Sequence, residues 1–252
     1  MLLLSLAAGL APAAARADAG ALWHLVHDQC VPHAMAHDGP GPCAEVSLAP
    51  DADAGHALLK DLRGPLQFLL IPTRRSPGID DPRLLAPGAP PYWAQAWHAR
   101  HWLDERNGRP LPREDVVLAI NSAWARSQDQ LHIHISCIRP DLKAFLASRQ
   151  GEIGADWRAL RGGWLGHPYW VRRVAGTELD GTDPFRDVAE HVPGAAADMA
   201  NRSIAVAGMR FDDGRGALVD GFVVMAGQVD WLAWSWGSGE GDTQDHDCAV
   251  LR

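Results

Sequence analysis

The stretch SQDQLHIHISCIRP, residues 127–140, concentrates the residue types that could do chemistry. On an extended strand, side chains alternate between faces. Gln130, His132, His134 and Ser136 then share one face, while Leu131, Ile133, Ile135 and Cys137 share the other and can pack on a core. Two histidines at this spacing admit three readings. They can be plain imidazoles on a half-exposed sheet face. They can be two of the three protein ligands that a catalytic zinc usually takes, with the third drawn from the ten other histidines. Or one of them can be a nucleophile toward phosphorus, because an imidazole with an unperturbed pKa of about 6.5 is largely neutral near pH 7. Cys137 points away from the histidines and suits a disulfide better than a ligand set.

The elements that must hold this strand follow from apolar runs and breakers. Residues 20–34 (GALWHLVHDQCVPHA) read as a helix with Leu22, Val26 and Cys30 on one face. EVSLAP and GHALLKDL are short strand-like runs, and GPLQFLLIPT suits a buried strand. RRSPGIDDPRLLAPGAPP carries too many breakers for regular structure. PYWAQAWHARHWLDERNG predicts a helix of about four turns ending at Gly108, with Trp93, Trp97 and Trp102 in the core. Strands follow at 116–121 and 130–138, joined by a polar connector. Farther on, GGWLGHPYWVRRVAGTELDG reads as loop and helix, and PFRDVAEHVPGAAADMA as a helix interrupted at Pro193. SIAVAGMRF and ALVDGFVVMAG flank DDGRG, a strong hairpin signal. VDWLAWSWG reads as a tryptophan-rich strand. This order indicates an α+β fold with an antiparallel sheet.

The 252 residues suffice for one large domain or two small ones. A net charge of −8 argues against a nucleic-acid partner, which needs a basic surface. The N-terminal MLLLSLAAGLAPAAARADAG joins an apolar run to small residues, and Ala15-Arg16-Ala17 or Ala17-Asp18-Ala19 suits a signal peptidase. No basic residue precedes the run, and it falls short of the roughly 20 residues of a membrane span. An export signal is the first reading and a retained anchor the second. Four cysteines without a C-x-x-C pair fit export. Of the three possible pairings, Cys30 with Cys43 closes a short loop rich in proline and glycine. That leaves Cys137 with Cys248, tying the C-terminus to the central strand; four buried thiols are the alternative.

The residues resemble a known superfamily. Q-L-H-I-H-I is similar to the H-x-H-x-H signature of the histidine triad nucleotide hydrolases and transferases, with Gln130 in the first histidine's position. Asn121 and Ser127 fit the same pattern, although the interval from Asn121 to His132 is shorter than usual. KDLRGPLQFLLIPTRR resembles the superfamily's earlier strand pair. The closer likeness is to one exported branch, the CDP-diacylglycerol pyrophosphatases. LKDLRGPLQFLLIPT, LAINS, HIHISCIRPD, the terminal DHDCAVLR, and LWHLVHDQCVP with GPCAEV near the front all resemble that family. HIHISCIRP is specific where a bare H-x-H is not.

The resemblance implies a histidine triad-like antiparallel sheet with helices over residues 20–145. A C-terminal α+β portion, 146–252, extends it and packs on it, behind a signal peptide or anchor at 1–19. It implies hydrolysis of CDP-diacylglycerol to CMP and phosphatidate, with no cofactor and no metal, at a membrane surface in or facing the periplasm. In the middle histidine's role, His132 attacks the α-phosphorus and forms a nucleotidyl-histidine. His134 bonds a phosphate oxygen or orients its neighbour. Gln130 can donate and accept hydrogen bonds but carries no proton. Asn121 and Ser127 match phosphate-contacting positions and Asp61 the ribose-binding aspartate, with Lys60 and Gln67 beside it.

Two other functions remain open from sequence: a metal-dependent exported hydrolase built on the H-x-H strand, and a non-catalytic carrier of nucleotides or CDP-lipid in which Gln130 marks a decayed site. Trp231, Trp234 and Trp236 are either a membrane-facing surface or, the blander reading, ordinary strand and core residues. His167 either lines the cleft or bridges backbone groups.

Overall fold

In a computed structural model that describes residues 18–252, the alternation around the histidines sets the architecture. Residues 1–17, which hold most of the expected leader, lie outside the described residues. The chain opens with α1 (Ala21–Leu25), a π-turn (Val26–Cys30) and α2 (Val31–Met35), which bury Leu22, Val26 and Cys30. Three strands follow: β1 (Glu45–Ser47), β2 (His56–Lys60) and β3 (Phe68–Pro72). The expected long helix is present as two pieces, α3 (Tyr92–His98) and α4 (His101–Asn107), broken at Ala99 and Arg100. Gly108 ends α4 with a left-handed φ of 75°, which glycine adopts without steric cost. The central pair is β4 (Val116–Ile120) and β5 (Ile133–Cys137), and α5 (Pro140–Ser148) comes next. The rest is β6 (Arg158–Ala159), β7 (Tyr169–Ala175), α6 (Pro184–His191), β8 (Arg202–Asp212), β9 (Leu218–Gln228) and the short α7 (Gly239–Thr243).

The nine strands among the described residues form one sheet in the order β1-β2-β3-β5-β4-β8-β9-β7-β6. Every pairing is antiparallel, as the α+β reading requires. Because β8 pairs with β4, the strands after residue 146 continue the first sheet. DDGRG turns the chain between β8 and β9, with Asp213 accepting from the N–H groups of Arg215 and Ala217.

The two faces of the sheet are covered differently. On one, Leu131, Ile133, Ile135 and Cys137 join Leu70, Leu118, Val206 and Val224 beneath Trp93 and Trp97 of α3 and Phe185 and Val188 of α6. On the other, two separate clusters form. Ala57, Leu69 and Ile71 pack against the N-terminal helix. Val117, Ala119, Ala205 and Met225 pack against Leu142 and Leu146 of α5. His132 and His134 fall between these two clusters.

Two segments differ from the sequence reading. Residues 169–175, expected as loop and helix, form β7, because pairing along β9 offers each backbone group a partner and buries Tyr169, Val171 and Val174. The paired arginines that hid the strand are accommodated at the surface: Arg172 bonds Asp187 and Arg173 lies over Phe211. VDWLAWSWG is not a strand. β9 stops at Gln228, and Asp230 accepts from the N–H groups of Leu232 and Ala233, closing an exposed turn. Trp102 is half-buried rather than core, and its indole N–H reaches Glu45.

After α7 the chain returns along β5. Asp245 N–H bonds the Cys137 carbonyl, Arg139 N–H bonds Thr243, and the Cys137–Cys248 disulfide fastens the return. Cys30 pairs with Cys43. Two disulfides and no free cysteine fit an oxidising compartment. No helix among the described residues is long and apolar enough to cross a membrane.

The bridge spanning 111 residues constrains the unfolded chain more than the one spanning 13. In the chain-entropy view, replacing Cys137 and Cys248 by alanine costs about 4–5 kcal/mol, and replacing Cys30 and Cys43 about 3 kcal/mol. Urea titration of the two double variants gives this order.

Candidate active site

His134 lies across from Leu69 on β3 and Ala119 on β4, on the face that the two clusters leave open. The gap is a pocket of about 510 Å³. Leu22 and Leu25 of α1, and Leu59 and Leu69 of the sheet, give it an apolar side. His132, His134, Asn121, Asp61 and Glu240 give it a polar one. Ser127 and Gln128 of the connector, and Lys60 and Arg63 at the end of β2, also line it.

His132 is buried, and its Nδ1 lies 2.7 Å from the Gln130 carbonyl. A carbonyl only accepts, so Nδ1 carries the proton and Nε2 keeps its lone pair. Burial lowers the His132 pKa, against the pull of that carbonyl, Glu240 and Asp61, so the ring is neutral. The His134 ring stands edge-on to it with centroids 4.8 Å apart. Burial and the neighbouring His132 push the His134 pKa down to about 3.

Behind His134 stands Glu240, buried at the start of α7. Its Oε2 is 3.3 Å from His134 Nε2 and accepts from the Asn121 amide at 3.2 Å. Its Oε1 accepts from Gln67 at 3.2 Å and lies 3.0 Å from His246 Nε2 and 3.8 Å from Arg63. Burial acts to raise the Glu240 pKa; His134, the bonds from Gln67 and Asn121, and His246 outweigh it, and the carboxyl sits below its usual value. Asn121 also accepts from the Glu240 backbone N–H at 3.0 Å, so the two residues hold each other twice. Gly239 permits this approach: a Cβ there would meet the Ile120 carbonyl at 2.6 Å. Asp61, His134 and Glu240 bring ligand atoms within 4.8 Å of one another, a spacing that could also hold a cation.

The model of the CDP-diacylglycerol pyrophosphatase family matches residues 17–252. The chain belongs to that family. A CDP-diacylglycerol pyrophosphatase of Yersinia pestis is 42% identical over 251 residues, covering the whole of this chain and 92% of that protein.

In this member of the CDP-diacylglycerol pyrophosphatase family, most of the residues singled out from sequence meet at the pocket: His132, His134, Asn121, Ser127, Asp61 and Lys60 line it. Gln67 stands behind, with its amide nitrogen 2.6 Å from Asp61 and 3.2 Å from His134 Nδ1. The Lys60 ammonium is committed to the carbonyls of Asp61 and Gly64, so it shapes the turn that presents Asp61. Gln130 is not brought to the pocket. Its fully buried amide donates to the carbonyls of Pro72 and Arg74 and accepts from Ser76 N–H, pinning the loop after β3. What residue 130 offers His132 is its backbone carbonyl. His167 lies elsewhere: with Tyr169 it holds Asp242, at 2.8 and 2.7 Å, and so secures α7.

Glu240, Arg63 and His246 escaped sequence reasoning as site residues. Their only signal was that Arg63 falls in KDLRGPLQFLLIPTRR and His246 in the terminal DHDCAVLR, both already quoted for the resemblance. Glu240 sits in GSGEGD, which reads as solvated turn.

Both histidines have folded pKa values below the unfolded value. At acidic pH the unfolded chain therefore binds more protons, and stability is full above about pH 6.5 and falls as pH drops toward about 3. His134→Gln removes one such group. Urea titrations at pH 7 and pH 4.5 will show a smaller loss on acidification in the variant than in the parent.

Proposed function

We propose that the protein hydrolyses the diphosphate of CDP-diacylglycerol to CMP and phosphatidate through a nucleotidyl-histidine intermediate on His132. The observation that carries this reading is the bond from His132 Nδ1 to the Gln130 carbonyl, which leaves Nε2 unprotonated at a pocket large enough for a nucleotide. Nε2 attacks the phosphorus of the cytidylyl group, and the bond to the bridging oxygen breaks. Phosphatidate leaves as a phosphate monoester, which needs little protonation. Water then attacks the phosphoramidate, releases CMP and restores the ring. Ser127 and Asn121 steady the equatorial oxygens through neutral donors, an electrostatic effect often worth several kcal/mol. Asp61 accepts from the ribose hydroxyls, with Gln67 holding it in position. Gln130 acts through its backbone carbonyl, so the departure from three histidines leaves the nucleophile intact.

His132→Ala will lower CMP release by at least about 10⁴-fold while the protein stays folded. A fully active variant sinks the nucleophile; binding of CDP-lipid without CMP release by the parent makes the protein a carrier. The Asp61–His134–Glu240 spacing favours a second reading, a metal-dependent hydrolase. Under the first reading turnover survives chelator, and under the second it stops.

The same reading sets the enzyme against a membrane surface facing the periplasm, since its substrate carries two acyl chains and its disulfides fit export. An aromatic patch supports the membrane partner. Trp231, Leu232, Trp234 and Trp236 are exposed on the turn after β9, with Leu232 at 94% and Trp234 at 79%. Trp231 packs edge-on against Trp124 and Trp236, so the patch is built rather than loose. Ser122 ties the turn down through the Trp236 carbonyl and Gly237. Trp124 adjoins pocket-lining Ala125, and Trp236 stands two residues before pocket-lining Ser238. Tryptophan in contact with water gains by entering the bilayer interface. Trp231→Ala with Trp234→Ala will slow hydrolysis of CDP-diacylglycerol in vesicles by at least about tenfold, equivalent to about 1.4 kcal/mol of lost apolar contact. Hydrolysis of a soluble CDP ester will be unchanged.

A further inference from the structure

The position that the resemblance gives to a third histidine is occupied by Gln130, whose side chain is spent on the loop after β3. A different residue completes the constellation. We infer that Glu240, delivered from the C-terminal segment, is the positioning residue that fixes His134 in its neutral Nε2–H tautomer beside His132. The inference rests on the nucleotidyl-histidine reading for its catalytic consequence, and on geometry alone for the tautomer.

The geometry determines the proton at both ring nitrogens. Gln67 faces two carboxylates, Asp61 Oδ2 at 2.6 Å and Glu240 Oε1 at 3.2 Å. Carboxylates only accept, so the amide must present its NH₂ to them and not its oxygen. That same nitrogen lies 3.2 Å from His134 Nδ1. A donor there requires Nδ1 to be the lone-pair nitrogen. The proton is then on Nε2, where Glu240 Oε2 waits at 3.3 Å. Glu240 thus bears on both sides of the ring: at Nε2 through the nearness of its negative charge, with no hydrogen bond formed there, and at Nδ1 through its bond to Gln67.

Its own placement is over-determined. Asn121 grips it through side chain and backbone, α7 is secured by Asp242, and Gln244 donates to the His134 carbonyl itself. The charged or titratable groups facing the pair are Asp61 and Arg63 from the turn after β2, His246 from the C-terminal return, and His132 immediately before β5. With His134 held neutral, no second imidazolium opposes the lone pair of His132 a ring away. Positive charge there would draw the nucleophile's electrons and compete for its phosphate.

The test uses ¹⁵N-labelled full-length protein and a soluble CDP ester. In the parent at neutral pH, the imidazole signals assigned through His134→Gln will report Nε2–H. In Glu240→Gln the carboxamide presents donors to donors, and the His134 signals will shift to the other tautomer or a mixture. The kcat will fall about 100-fold or more, as when an orienting carboxylate is lost elsewhere, and KM will move less than about threefold. Glu240→Asp, which keeps the charge, will recover part of kcat. Nδ1–H or imidazolium signals in the parent overturn the inference whether or not Glu240→Gln folds. So do unchanged His134 signals in Glu240→Gln, a loss confined to KM, or an aspartate variant no faster than the glutamine one. Failure of the parent to release CMP would instead strike the hydrolase reading and leave the tautomer result standing.

Discussion

Taking two imidazoles out of water is the constraint on which the rest of this structure depends. A buried polar atom without a partner costs free energy comparable to a lost hydrogen bond, and a buried cation costs more. His132 and His134 are both buried, one ring apart, so each ring must stay neutral, with one nitrogen protonated and the other carrying its lone pair. The chain meets this with an acceptor that cannot donate, the Gln130 carbonyl, with the negative charge of Glu240 close to His134 Nε2, and with one amide, Gln67, whose orientation two carboxylates dictate. Nε2 of His132 is left free, and it belongs to a residue that lines the pocket, whereas Nε2 of His134 faces the Glu240 carboxylate without a hydrogen bond to it.

The sheet is arranged to make that possible. Its one face is sealed by α3 and α6, which gives β5 a rigid backing. Its other face is covered in two patches with the histidines between them. Residues from six parts of the chain converge on the gap: α1, β2 with the turn after it, β3, the connector before β5, β5 itself and the segment around α7. The last of these travels farthest. It is held by the Cys137–Cys248 bridge, by Asp242 and by Gln244, all acting on a stretch of about ten residues that would otherwise be a free tail.

Much of this was legible in the sequence because it rests on local pattern. Period-two alternation assigned both faces of β5 correctly, and DDGRG marked its hairpin. Spacing and likeness together brought His132, His134, Asn121, Ser127 and Asp61 to one pocket. What was not legible depends on partners distant in the chain. β7 carries Trp170, Arg172 and Arg173 on positions that alternation alone reads as loop or helix, and only β9 beside it makes it a strand. The tryptophans after β9 looked like a strand because their apolarity was counted without knowing that a single aspartate would fold the backbone into a turn. Glu240 stands in a glycine-rich run that signals flexibility, and nothing in that run reveals that Asn121 awaits it 119 residues away.

The two outermost strands are the shortest ones, three residues in β1 and two in β6. A nine-stranded antiparallel sheet would ordinarily end in long rows of unpaired amides and carbonyls, each a template for a stranger's strand. Here the ladder tapers at both rims, with β1 covering part of β2 and β6 covering two residues of β7. The eleven-residue strands that could do most harm, β8 and β9, are kept in the interior of the ladder, where their hydrogen bonds are spent on each other and on β4 and β7. A chain that must stay unaggregated while its thiols find their partners thereby keeps its longest strands out of reach of cross-β association.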